Sequence, residues 1–73
     1  KLIVDGYSIL YERTGEAKRG IVVGTFENGK RTLACILKPE LLSIFETQEL
    51  VGKTCIVQYN SKIERNFIIS VEQ

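Results

Sequence analysis

Five residues in the first half of the chain have the side chains a nucleic-acid surface needs. Lys18, Arg19, Lys30 and Arg31 are cations that can neutralise phosphates, and Phe26 is a ring on which a base can stack. They form the candidate ligand-facing surface of the sequence. Lys30 and Arg31 directly follow a turn, where solvated charge is the ordinary finding, and Glu16 and Glu27 lie alongside. The whole chain carries 10 basic and 9 acidic residues, too even a balance to argue for a polyanionic partner from charge alone.

Other chemistry is less well supplied. Cys35 and Cys55 lie in apolar runs, Leu33-Ala34-Cys35-Ile36 and Cys55-Ile56-Val57, which suits reduced, buried thiols and a reducing, cytoplasmic setting. With no histidine in the chain a cysteine nucleophile lacks its usual base, and a zinc site lacks a usual ligand. The glutamates Glu12, Glu16, Glu27, Glu40, Glu46, Glu49, Glu64 and Glu72 are scattered singly, with no spacing that converges two of them for acid–base work. Gly20-Ile21-Val22-Val23-Gly24 lacks the Gly-Lys-Ser/Thr of a phosphate loop. The segment is therefore expected to have no catalytic residues and no metal site. Its apolar runs are too short to cross a bilayer, so no membrane insertion is expected.

The elements that must position these residues read mostly as strands. Leu2 to Arg13 alternates Tyr7, Ile9 and Tyr11 with Ser8, Leu10 and Glu12, and Gly6 marks a bulge or strong coiling. After a polar turn around Gly15, Arg19 to Phe26 and Lys30 to Leu37 flank Asn28-Gly29, a dipeptide suited to the positive φ angles of a tight hairpin turn. Gly20 and Gly24 share one face, which points to coiling of the sheet or to close approach by another backbone or ligand. Strand three is apolar on both faces, as a central strand is.

Pro39 fits the first turn of a helix and Glu40 complements its positive end, with Leu41, Leu42, Ile44 and Phe45 forming an apolar stripe from Pro39 to about Gln48. This stripe is expected to plug one end of the core. Gly52 turns the chain into strand four, Lys53 to Tyr59. The polar Asn60-Ser61-Lys62 turn follows, then Ile63 as an anchor and strand five, Arg65 to Val71. The order β-β-β-α-β-β predicts an all-β fold with one helix, a small five-stranded OB-like Greek-key barrel, over a single domain of residues 1–73. An SH3-like barrel is the alternative. The chain opens on Lys1 and runs straight into Leu2-Ile3-Val4, which is expected of an excerpt from a longer polypeptide.

The hairpin also carries a resemblance. Arg19-Gly20-Ile21-Val22-Val23-Gly24 followed by Glu27-Asn28-Gly29-Lys30-Arg31 resembles the additional C-terminal OB-like domain of thiolase-like proteins, the acetyl-CoA acetyltransferase and sterol-carrier-type thiolase family. The similarity extends to Tyr7 through Arg13, Pro39-Glu40-Leu41-Leu42, Val51-Gly52-Lys53 and Arg65-Asn66-Phe67. It departs at Thr32-Leu33-Ala34-Cys35, where the family pattern has an aromatic or aliphatic residue before Ala-Asn. The resemblance implies a non-catalytic accessory domain at the C-terminus of a thiolase-like acyltransferase, with the thiolase domain of the same polypeptide as partner. Acyl-CoA chemistry then belongs to that parent domain, and the appendage assists acyl-CoA or partner binding. Two alternatives follow from the residues themselves: an independent OB module for single-stranded nucleic acid, and a protein-interaction module.

Overall fold

The computed structural model describes residues 1–72. The strands are β1 (Leu2–Tyr11), β2 (Ala17–Phe26), β3 (Arg31–Ile36), β4 (Thr54–Asn60) and β5 (Arg65–Val71), and the helix α1 (Pro39–Thr47) lies between β3 and β4. They close into a barrel in the order β1-β2-β3-β5-β4. All contacts between neighbours are antiparallel except β3 with β5, which run parallel. The fold is thus the small OB-like barrel with one helix that the order of elements predicts.

Three bulges adapt straight strands to this closure. In β1 the pairing steps from Val4 to Gly6, leaving Asp5 without a partner. Each bulge resets which side chains point inward, because side-chain direction alternates with period two. So Leu2 and Val4 are buried before the bulge, and Tyr7 and Ile9 pack against the same core after it. A second bulge places Lys18 as the extra residue between the pairs Leu10↔Arg19 and Tyr11↔Ala17. The third leaves Ile69 unpaired between Ser70 and Ile68, which turns Ile68 and Val71 toward the core and leaves Ile69 exposed.

The interior of β2 is built from small residues. Gly20, Val22 and Gly24 face inward, and Leu2, Ile9 and Ile36 occupy the space a side chain at either glycine would need. Alternating small and large residues in this way fills a narrow barrel without voids. The glycines therefore serve packing within the core.

The tight hairpin turn between β2 and β3 forms at Asn28-Gly29, with positive φ at only one of the two residues. The Gly29 amide donates to the Phe26 carbonyl at 2.9 Å, and the Phe26 amide donates to the Lys30 carbonyl at 2.8 Å. That is a three-residue loop of Glu27, Asn28 and Gly29, with positive φ at Gly29 (86°) and not at Asn28. Asn28 contributes its side chain instead, its Oδ1 accepting from the Lys30 amide at 3.0 Å.

Helix α1 closes one end of the barrel. Leu41, Leu42 and Phe45 are buried and Ile44 packs beside them, as the apolar stripe predicts. No cap side chain bonds at Lys38, but its carbonyl accepts from Leu41 and Leu42. The C-terminal end of the helix is held by Tyr7. Its hydroxyl donates to the Gln48 carbonyl at 3.0 Å and accepts from the Leu50 amide at 3.4 Å, and its ring meets Phe45 edge-on at 4.9 Å. No helix among the described residues is long and apolar enough to cross a membrane.

Candidate functional site

The five residues of the candidate surface are spread over the β2–β3 hairpin. Lys18 is the bulge residue at the start of β2 and Arg19 follows it, both exposed. Arg31 pairs with Thr25, six positions further along β2, so roughly 20 Å of strand separates it from Arg19 at about 3.4 Å per residue. Lys30 sits beside Arg31 at the turn. Phe26 is half-buried and packs against the core cluster, on the face opposite Arg31. The geometry brings Lys30 and Arg31 together, and separates them from Lys18, Arg19 and the Phe26 ring.

Arg31 also has a partner that the sequence pattern leaves unmarked. The bulged Asp5 accepts from the Thr25 hydroxyl at 2.6 Å and lies 3.6 Å from the Arg31 Nε. Asp5 thus spans from β1 over β2 to β3 on the outer side of the barrel. The pair is exposed, so its contribution to stability is small. The sequence offers no signal for it, because only the bulge aims Asp5 in that direction.

A concavity lies beside these cations rather than between them. It is an open hollow of about 590 Å³ between β3 and the start of β5. Ile21, Leu33, Cys35 and Ile63 form its apolar part, and Thr32, Glu64, Arg65 and Asn66 its polar part. Leu33 is 61% exposed and Ile63 52%. Ile63 is therefore not the buried anchor expected after the β4–β5 turn. Glu64 beside it takes φ 53°, which leads the chain out of the turn into β5 with the Ile63 side chain left in solvent. Below the hollow the Asn66 amide donates to the Thr32 hydroxyl at 3.3 Å, tying β5 to β3.

An apolar centre with a polar rim is the composition of a protein-contact surface. Leu37, at the end of β3, is also exposed, at 54%. No aromatic ring is among the described residues that line the hollow, and Arg65 is the one cation among them. A single-strand platform needs stacked rings and a run of cations. Among the described residues no group of three or more His, Cys, Asp or Glu is placed to hold a metal ion.

The two thiols are both free and differ in setting. Cys55 is fully buried in the core, and burial pushes its thiol up. Cys35 lines the hollow. A thiol-reactive aromatic disulfide is expected to label Cys35 in the native protein and Cys55 only on unfolding; equal labelling rates would contradict this placement. The raised Cys55 thiol also sets a pH dependence. The unfolded chain ionises first as pH rises through about 8.5, so the stability carried by the neutral buried thiol is complete below that and declines above it. Denaturant unfolding followed upward from about pH 8 is expected to show this decline, and Cys55→Ala to lack that component.

No family model matches the chain, and no curated protein or solved structure matches it.

Proposed function

We propose that this barrel is a non-catalytic accessory domain that docks on a protein partner through the outer side of β2, β3 and the β4–β5 turn. The observation that carries the reading is the exposed apolar pair Leu33 and Ile63, which lines the hollow together with Ile21 and Cys35. Singly exposed apolar side chains are ordinary, but contiguous apolar surface rimmed by polar groups marks contact sites. The resemblance of Arg19 to Arg31 proposes the partner: a thiolase-like acyltransferase domain of the same polypeptide, which would bind acyl-CoA and carry out the chemistry.

The reading is tested by comparing the full-length protein with and without residues 1–73. Loss of parent stability or of acyl-CoA binding on deletion is expected, and no change in either would overturn it. A finer test keeps the domain and alters its surface. Leu33→Thr with Ile63→Ser is expected to change barrel stability by no more than about 0.5 kcal/mol, because both side chains are exposed and threonine suits a strand. Docking on the parent is expected to weaken about tenfold or more, the ordinary effect of removing a central apolar contact.

Single-stranded nucleic acid is the weaker reading, because the cations lie at two ends of the hairpin and Phe26 packs inward. Salt-dependent binding of single-stranded DNA or RNA at low ionic strength would reinstate it.

A further inference from the structure

The hollow has a second property besides its apolar lining: one wall of it is a strand edge. Antiparallel partners alternate between pairs that exchange backbone hydrogen bonds and pairs whose backbone groups point away. The Phe26 amide bonds the Lys30 carbonyl at 2.8 Å, which fixes the phase of that alternation. Counting along the register from Thr25↔Arg31 through Gly24↔Thr32 and Val23↔Leu33, the backbone of Lys30, Thr32 and Ala34 turns toward β2. Arg31, Leu33 and Cys35 therefore turn theirs to the other side, where β5 lies.

β5 reaches only part of this edge. Its ladder with β3 consists of Ala34↔Asn66 and Cys35↔Phe67. Because Ala34 turns its own backbone to β2, the first step runs through the Leu33 carbonyl and the Cys35 amide, which leaves the Leu33 amide and both backbone groups of Arg31 without a β5 partner. The chain leaves β3 at this point, because the β4–β5 turn carries Ile63 and Glu64 outward to form the far wall of the hollow. The β3 edge at Thr32 and Leu33 thus borders the open hollow, with the exposed Arg31 next along the strand.

We propose that this edge receives an extended peptide segment of the docking partner as an added β-strand. Main-chain hydrogen bonds to the Arg31 backbone and the Leu33 amide give such a segment its alignment, and alternate side chains enter the apolar hollow between Leu33 and Ile63. Charge selects an acidic segment. Arg65 lines the hollow and has no carboxylate partner among the described residues, while Arg31, at the head of the edge, keeps a side chain 70% exposed despite Asp5. Glu64 is the one carboxylate in the lining and favours placing the acidic residue on the Arg65 side. The partner chemistry is an extended chain of alternating apolar side chains with a carboxylate among them. The proposal rests on the docking reading above and specifies how the contact is made.

Residue-resolved amide exchange on the chain, with and without a capped octapeptide alternating valine with glutamate and threonine, tests it. With peptide at about ten times its Kd, exchange at the Leu33 and Arg31 amides is expected to slow about tenfold, while amides of β1 stay unchanged. The same peptide N-methylated at alternate residues keeps its side chains and is expected to give no protection. Leu33→Pro removes the edge donor without touching the β2 ladder, and is expected to abolish binding while preserving the far-ultraviolet spectrum.

Equal binding of the N-methylated peptide, or no binding by about 1 mM, would overturn strand addition. Protection that rises with protein concentration in the absence of peptide would assign the edge to a second copy and overturn it as well. These failures are separable from failure of the docking reading. Leu33→Thr with Ile63→Ser still weakens docking if only the strand-addition mode is wrong, and has no effect if the docking face itself is wrong.

Discussion

Gly24→Ala is expected to unfold much of the protein at room temperature, while Gly6→Ala leaves its thermal midpoint nearly unchanged. A Cβ at Gly24 would stand 2.5 Å from the Leu2 Cγ and 2.7 Å from the Ile3 carbonyl oxygen. The second contact decides the outcome. A side chain can rotate away, but the carbonyl belongs to the β1 backbone, which is held to β2 through Leu2↔Phe26, Ile3↔Thr25 and Val4↔Gly24. Relief requires moving β1, and Leu2 at its head also pairs with Cys55 to close the barrel.

Overpacking a core in this way costs about 1–3 kcal/mol, and more where backbone must shift. A core of this size supplies about 3–5 kcal/mol in total. At Gly20 the nearest atom is the Ile36 Cδ1 at 2.9 Å, the end of a flexible side chain, so Gly20→Ala is expected to cost about 1 kcal/mol. Nothing lies within 4 Å of a Cβ at Gly6, so alanine there is a matched control for removing a strand glycine. Denaturant midpoints in the order Gly6→Ala, Gly20→Ala, Gly24→Ala, from highest to lowest, are the expected result. Equal midpoints for the first and last would show that the inner face of β2 is not where this packing places it.

The same glycines mark how far the fold was legible in the chain. Their shared face and the order of elements identify a coiled, closing sheet, since periodicity and turn residues are local signals. What they cannot convey is parity across a bulge. Leu2 and Val4 occupy even positions and Tyr7 and Ile9 odd ones, yet all four face one core, because the unpaired Asp5 resets the alternation. The same reset at Ile69 puts Ile68 and Val71 inside, where strict alternation groups Ile69 with Phe67 and Val71.

The candidate site was harder to read for a related reason. Lys18, Arg19, Lys30 and Arg31 are close in sequence, but a hairpin folds them onto opposite ends of two strands. Leu33 and Ile63 are thirty positions apart and look like core residues. Leu33 is exposed because it shares the outer face of β3 with Arg31, opposite the buried Ala34 and Ile36, and which face lines a barrel is a tertiary fact. The Tyr7 hydroxyl bond to Gln48 is similarly hidden, because the partner is a backbone carbonyl at the end of the helix.

That tyrosine and the helix it holds carry the second large effect. Phe45→Ala is expected to cost about 3–5 kcal/mol, as much as the core of such a domain provides, and so to leave the chain largely unfolded. Phe45 is only 2% exposed and seals the end of the barrel beside Leu41 and Leu42. Its ring meets Tyr7 at an interplanar angle of 80°, the edge-to-face arrangement that adds to simple burial. Tyr7 in turn fastens the exit of the helix, since its hydroxyl serves both the Gln48 carbonyl and the Leu50 amide. Tyr7→Phe keeps the ring and is expected to cost about 1 kcal/mol, the ordinary loss for a hydrogen bond. Tyr7→Leu should cost more, and part of that loss should vanish when Phe45 is already leucine. A double-mutant cycle of Tyr7→Leu and Phe45→Leu is expected to return a coupling of about 0.5–1.5 kcal/mol for the ring pair. Coupling indistinguishable from zero would mean that the helix closes the barrel by burial alone. Coupling in the expected range makes β1 and α1 a single cooperative unit, tied together by the ring pair as well as by burial.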